Sequence, residues 1–130
     1  MKWEITYLQD AGIIYTIVSG AVTLEGIKEV STERTGLARQ KGANRFISDY
    51  RNVSKNISTL EIYNLPQTLR DNGMRAGDKI ALIYSADSLD KSDFTFFGTR
   101  CYNTSLTNVK LFTDYDDAYN WITESISLQQ

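Results

Sequence analysis

The sequence predicts an α/β domain built on a five-stranded, mostly parallel sheet with one antiparallel edge. Short apolar segments alternate with segments of helical spacing, and this alternation requires crossover connections between parallel strands. The first two apolar segments are separated only by a short turn containing Gly12, which is typical of an antiparallel hairpin. The expected order is β-β-α-β-α-β-α-β-α, with four helices, in one domain spanning residues 1–130.

Five segments have the composition of strands. Residues 3–8 alternate apolar and polar side chains, as a half-buried strand does. The segments 13–20, 44–51 and 108–112 are short, apolar and rich in β-branched or aromatic residues. The most continuous apolar run, at 78–85, predicts a central strand that is covered on both faces.

The first predicted helix covers residues 23–41. Thr23 is a typical N-cap residue and Gly42 a typical stop, and the apolar stripe between them has a gap at Arg34. Gly36 lies inside this helix, where glycine costs about 1 kcal/mol relative to alanine. We therefore expect the backbone to pack closely against a neighbour at Gly36.

The second predicted helix begins with a capping box, in which Ser58 and Glu61 satisfy each other's backbone amides. It ends at Gly73. Pro66 lies within it and cannot donate a backbone hydrogen bond, so a kink or break is predicted near Ile62.

Two more helices complete the pattern. One carries Phe94, Phe97 and Cys101 on a single face, which predicts a buried thiol and not a nucleophile. The other, at 113–126, begins with acidic residues that suit the positive end of a helix dipole.

Composition narrows the class of function. The 14 basic and 16 acidic residues are scattered and form no basic stripe, so nucleic acid is not an expected partner. Histidine is absent and there is one cysteine, so we expect no metal, no cofactor and no enzymatic activity. We also expect a cytoplasmic protein with no integral membrane association, because no signal-peptide pattern and no run of about 18 apolar residues occurs.

A polar segment follows the third predicted strand. Loops at the carboxyl ends of parallel strands usually bind ligands, and here they are predicted at 49–57, 85–90 and 113–114. The first loop and the helix start after it hold six candidate partner- or ligand-binding residues: Asp49, Tyr50, Arg51, Asn52, Ser54 and Ser58. The alternative is structural, with Ser58 a helix cap and Arg51 paired with a surface carboxylate.

The order of elements resembles the STAS fold, named for sulfate transporters and anti-sigma-factor antagonists. Within it, the chain is similar to small bacterial STAS-like proteins grouped with lipid-binding CRAL-TRIO-type domains. The resemblance spans nearly the whole chain and is carried by "IVSGAVTLEGI" (17–27), "RFISDYRNV" (45–53), "STLEIYNLPQTL" (58–69), "DKIALIY" (78–84) and "VKLFTDYDDAYNWI" (109–122).

In the antagonist branch of that family, a serine at the start of the helix after strand three is phosphorylated. By position the resemblance implies Ser58 as a candidate phosphoacceptor. The flanking residues depart from the family motif, which has Asp before the serine and a small residue after it, whereas this chain has Ile57 and Thr59.

The sequence is compatible with two functions. The first is a non-enzymatic regulatory or adaptor domain that binds another protein, or a second copy of itself, through the 49–60 surface. The second is a carrier or sensor of a small apolar or lipid-like ligand, as the resemblance implies. Tyr63 and Phe96 lie off the apolar faces of their helices, so they belong either to an exposed binding surface or to the core. An enzyme using Asp49 with Tyr50 or Arg51 is a weaker third hypothesis.

Overall fold

A computed structural model describes residues 1–87, 91–104 and 108–128 of the chain. Within these ranges it contains five strands and five helices. In chain order they are β1 (Lys2–Leu8), β2 (Ile13–Val22), α1 (Leu24–Lys41), β3 (Arg45–Lys55), α2 (Thr59–Tyr63), α3 (Leu65–Asp71), β4 (Lys79–Ile83), α4 (Lys91–Asn103), β5 (Val109–Phe112) and α5 (Tyr115–Leu128).

The strands form one mixed sheet in the order β1-β2-β3-β4-β5. The β1–β2 pair is antiparallel and the other three pairs are parallel, so the α/β class and the antiparallel edge are confirmed. Parallel crossovers are right-handed, and the strand order never reverses. The crossover helices α1 to α4 therefore lie on one face of the sheet, and α5 covers the other.

Each face of the sheet has its own hydrophobic core. On the crossover-helix face, Ile14, Phe46 and Ile80 are neighbours across three strands and pack beneath α1, α2 and α3. On the opposite face, α5 contributes Ala118 and Ile122, and the sheet contributes Ile13, Ile47, Ala81 and Ile83. The β3 and β4 strands are thus covered on both sides, as the apolar run at 78–85 predicted.

The predicted second helix is in fact two helices. α2 ends at Tyr63, Asn64 separates it from α3, and Pro66 lies in the first turn of α3, where its missing N–H needs no partner. The prediction of four helices was therefore wrong, because Pro66 starts a new helix. The break near Ile62 is confirmed.

The predicted helix ends are also present. The Thr23 side chain accepts a hydrogen bond from the Gly26 amide, and Gly42 takes the left-handed conformation at the end of α1, with φ 68°. The expectation of close packing at Gly36 was wrong, because a Cβ there would meet nothing within 4 Å. Gly36 lies on the exposed side of α1.

The third strand is longer than predicted and carries a bulge. Asp49 lies opposite Ile17 of β2, whereas Asn52 lies opposite Ser19, so β3 has one extra residue in this interval. The bulge changes the alternation of side chains. Val53, and not Asn52, therefore follows Tyr50 onto the face that packs against the crossover helices.

Candidate functional site

The six predicted site residues do not form one loop. β3 continues to Lys55, so most of the predicted loop 49–57 is strand, because the bulge lets the polar segment stay paired with β2. Tyr50 and Ser54 line a cavity on the crossover-helix face, and Asn52 is exposed outside it. Asp49 and Arg51 belong to the opposite face, and Ser58 caps α2.

Asp49 and Arg51 form a bidentate ion pair beside α5. The Arg51 Nη2 lies 2.7 Å from Asp49 Oδ2, and its Nε lies 3.0 Å from Oδ1. The Arg51 backbone amide donates to Oδ1 as well, at 3.1 Å. Burial raises the pKa of the neighbouring Tyr15, and the Asp49 charge adds to that rise. Both carboxylate oxygens thus accept hydrogen bonds from Arg51, and Tyr50 lies on the other face of the strand.

A cavity of about 110 Å³ lies between the sheet and the helices α1 to α4. Its wall is mostly apolar and draws residues from the strands β2 to β5 and the helices α1 to α4: Val22, Ile27, Arg34, Ser48, Tyr50, Val53, Ser54, Lys55, Ile57, Ile62, Leu65, Leu69, Ile80, Leu82, Asp93, Phe94, Phe97 and Val109. Since Ser54 and Lys55 are exposed, the cavity reaches the surface at the end of β3.

Arg34 is the one charged residue in the deep part of this wall. It extends from α1 and is only 4% exposed. Its Nη1 donates to Ser48 Oγ at 3.1 Å, and its guanidinium carbon lies 6.0 Å from the centre of the Phe46 ring. The Nε atom is buried without a hydrogen-bond partner. Burial lowers the pKa of the Arg34 guanidinium, and Tyr50 and Asp78 partly oppose that effect.

Sequence reasoning missed Arg34 as a site residue, although a signal was present. Arg34 follows Ile27 by seven positions and Val30 by four, so it lies on the buried stripe of α1. The apolar stripe is interrupted at Arg34 because a charged side chain occupies a buried position there. A charged residue is rarely fully buried without a partner, which makes this position informative.

An ion pair lies at the rim of the cavity. Lys55 Nζ at the end of β3 lies 3.1 Å from Asp93 Oδ2 in the first turn of α4, and both side chains are partly exposed. Asp90 and part of the predicted 85–90 loop lie outside the described residues.

Apolar side chains are exposed beside the rim. Leu60 is 69% exposed and Tyr63 is 46% exposed, both on α2. Phe96 is half-buried against the Tyr63 ring, and the Arg100 guanidinium lies over the Tyr63 ring, 3.6 Å from its centre. Tyr63 is therefore a surface residue, and Phe96 packs against its ring.

Ser58 and Cys101 have the local structures predicted for them. The Ser58 hydroxyl accepts from the Glu61 amide at 3.1 Å, and the Glu61 carboxylate accepts from the Ser58 amide at 2.9 Å. Ser58 is exposed, and the capping box gives it a structural role at the start of α2. Cys101 is buried, and burial raises the pKa of its thiol to about 12, so it is a poor nucleophile.

No model of a known protein family matches this chain, and no curated protein matches it either. Among the described residues, no helix has the length and apolar character needed to cross a bilayer. In the same part of the chain, no three His, Cys, Asp or Glu side chains are grouped as a metal site requires. The molecule is an α/β domain with a five-stranded mixed sheet.

Proposed function

We propose that this domain binds a small amphipathic molecule in the cavity under α2, α3 and α4, as a carrier or sensor. The observation that carries the proposal is an apolar cavity that contains one deeply buried charged group, Arg34. Ligand sites are typically concave and apolar with a few converging polar groups. The same class of function is what a resemblance to STAS-like proteins grouped with lipid-binding CRAL-TRIO-type domains would imply.

The structure of the cavity walls supports reversible opening. α2 has five residues and α3 has seven, shorter than helices that are stable alone in water. Their position depends on packing of Ile62, Leu65 and Leu69 against the sheet. A ligand that replaces part of this packing can displace the two helices at low cost, so the cavity can accept a chain longer than its closed volume holds.

We expect 1-hexanol, a neutral probe, to bind the wild-type protein and to shift the NMR signals of the Ile80 and Leu82 methyl groups. Val53→Trp places an indole in the mouth of the cavity and should weaken binding roughly 10-fold or more, because the probe and the ring compete for one space. Asn52→Trp is the matched control, since Asn52 is exposed and lies outside the cavity wall.

Both variants should stay folded, because the two positions are at least partly exposed. Native mass spectrometry of protein purified from its own host provides an independent measurement, in which a retained small molecule is expected. The proposal is wrong if wild-type protein retains nothing and binds no hexanol, or if the two tryptophan variants bind it equally.

A second candidate function is a protein-binding adaptor that uses the 49–60 surface and α2. The specific observation in its favour is the exposure of Leu60 and Tyr63 beside the rim, since exposed apolar side chains commonly mark interfaces. This surface adjoins the cavity mouth, so a partner seated there would contact a bound ligand. The two functions are compatible.

We expect Leu60→Lys to remove self-association in sedimentation velocity, or capture of a purified partner, while leaving the capping box of α2 intact. Binding should weaken by about 10-fold if Leu60 is a central contact. Tyr102→Lys is the matched control, because Tyr102 is 81% exposed on α4. Equal behaviour of the two variants would remove α2 from the interface.

A further inference from the structure

Arg34 has fewer partners than a buried guanidinium needs. It carries a permanent charge and five N–H donors. Across the described residues it makes one side-chain hydrogen bond, to Ser48, and no carboxylate lies within 4.0 Å of it. The Nε–H is buried and unpartnered. A buried charge is strongly unfavourable unless an opposite charge and hydrogen bonds compensate it.

The groups around Arg34 do not supply the missing negative charge. The carboxylate that interacts electrostatically with Arg34 is that of Asp78. It is already bound by the Arg39 side chain and by the Arg75 backbone amide, the latter at 2.8 Å. Burial raises the pKa of Tyr50, so its phenol stays neutral. The Phe46 ring, 6.0 Å away, offers a cation–π contact that is weak at that distance. The Asp78 carboxylate balances the charge of Arg39, so the positive charge of Arg34 remains uncompensated.

Two further polar atoms near Arg34 lack partners. Thr16 Oγ1 and Ser31 Oγ are buried without hydrogen bonds. Thr16 is the register partner of Ser48, the residue that binds Arg34, and Ser31 lies one helical turn before Arg34. Nearly all buried polar atoms in proteins are paired, so three unpaired atoms show that polar groups around Arg34 are incompletely satisfied within the protein. Thr16 and Ser31 lie outside the cavity wall, and Arg34 is the residue of the three that faces it.

We infer that the cavity takes a linear aliphatic monocarboxylate, with its carboxylate on Arg34 and Ser48 and its chain directed along the apolar wall toward Ser54. This inference rests on the proposed function and names the ligand class of the same site. A carboxylate matches the parallel donors of a guanidinium edge. A single negative charge balances the single uncompensated positive charge, whereas a phosphate dianion would leave an excess negative charge in a buried place.

The size of the cavity sets the length of the chain. A cavity of about 150 Å³ accommodates benzene, so the 110 Å³ available here holds roughly four or five carbon atoms. Further carbons extend through the open mouth at the end of β3. Hexanoate is therefore a suitable probe, and 1-hexanol, hexylamine and hexyl phosphate have the same number of carbon atoms with a different head group.

The test is an NMR or calorimetric titration of the full chain with these four probes near pH 8. Wild-type protein should bind hexanoate about 10-fold or more tightly than 1-hexanol, because a charge-assisted hydrogen bond forms only with the anion. Hexylamine should not bind, and hexyl phosphate should bind more weakly than hexanoate. In Arg34→Met the hexanoate preference should disappear while hexanol affinity stays within about 3-fold.

Arg75→Met is the matched control, because Arg75 is exposed and lies outside the cavity wall. Its head-group preference should equal that of the wild type. Arg34→Met should unfold at a temperature equal to or above that of the wild type, since it removes a buried charge without an ionic partner. If that variant does not fold, the wild-type series decides by itself.

The outcomes separate this inference from the proposed function. Equal binding of hexanoate and hexanol by the wild type, tighter binding of hexyl phosphate, or an unchanged preference in Arg34→Met overturns the anion inference and leaves the cavity proposal standing. Binding of none of the four probes overturns the anion inference, and it overturns the cavity proposal as well when the protein purified from its host retains no small molecule.

Discussion

Arg39→Met is expected to lower the free energy of unfolding by roughly 3 kcal/mol, because it removes one partner of a buried ion pair. The Asp78 carboxylate is almost completely buried, with a side chain that is 1% exposed, and Arg39 is its ionic partner. Arg39 also donates to the carbonyl oxygens of Ala43 and Gly73, each at 3.2 Å. The variant leaves the Asp78 charge in the interior, where, among the described residues, the Arg75 amide is the remaining hydrogen-bond donor to its carboxylate.

Urea unfolding monitored by circular dichroism measures this effect, and Lys28→Met is the matched control. Lys28 is also a basic residue of α1, but its ion pair with Glu25 is long, at 3.6 Å, and exposed. Exposed pairs contribute little, so Lys28→Met should change stability by less than about 0.5 kcal/mol. A loss in Arg39→Met as small as that of the control would show that the Asp78 charge is compensated in another way.

Phe46→Ala is expected to destabilise the domain by roughly 3 to 5 kcal/mol, the range found for removal of a buried aromatic side chain. Phe46 is fully buried in the centre of the crossover-helix core, between Ile14 of β2 and Ile80 of β4. Its ring also lies beneath the Arg34 guanidinium. Loss of the ring removes apolar contacts and leaves a void that strands on both sides hold open.

Equilibrium unfolding in urea tests this prediction as well, with Tyr102→Ala as the control. Tyr102 is another aromatic residue, but it is 81% exposed, and its removal should cost less than about 0.5 kcal/mol. The prediction is wrong if Phe46→Ala lowers the free energy of unfolding by less than about 1.5 kcal/mol. That result would mean that the neighbouring side chains fill the volume left by the Phe46 ring, although Phe46 lies in a paired central strand.

The fold was largely predictable because its signals are local. The Gly12 turn, the Thr23 and Ser58 caps and Gly42 act within a few residues of themselves, and the structure has each where the sequence placed it. The end of β3 was not predictable in the same way. Its polar residues resemble a loop, and they remain in the sheet only because β2 continues beside them to Val22.

The candidate site was predicted less well, for a physical reason. Asp49 and Tyr50 are adjacent in sequence, but neighbouring strand residues face opposite sides of a sheet, so the polar cluster separates into an ion pair and a cavity wall. Arg34 and Ser48 are fourteen positions apart and meet only when α1 packs on β3. A contact of that kind depends on tertiary packing, which periodicity in one segment does not report.

The arrangement of helices on the sheet has a consequence for synthesis of the protein. All four crossover helices cover one face, and α5 alone covers Ile13, Ile47 and Ile83 on the other. A nascent chain emerging from the ribosome can therefore assemble its strands in order while this isoleucine surface stays bare until residues 115–128 have been made. During that interval the surface is open to chaperones and to other unfinished chains, so the growing polypeptide is most prone to aggregate just before α5 emerges.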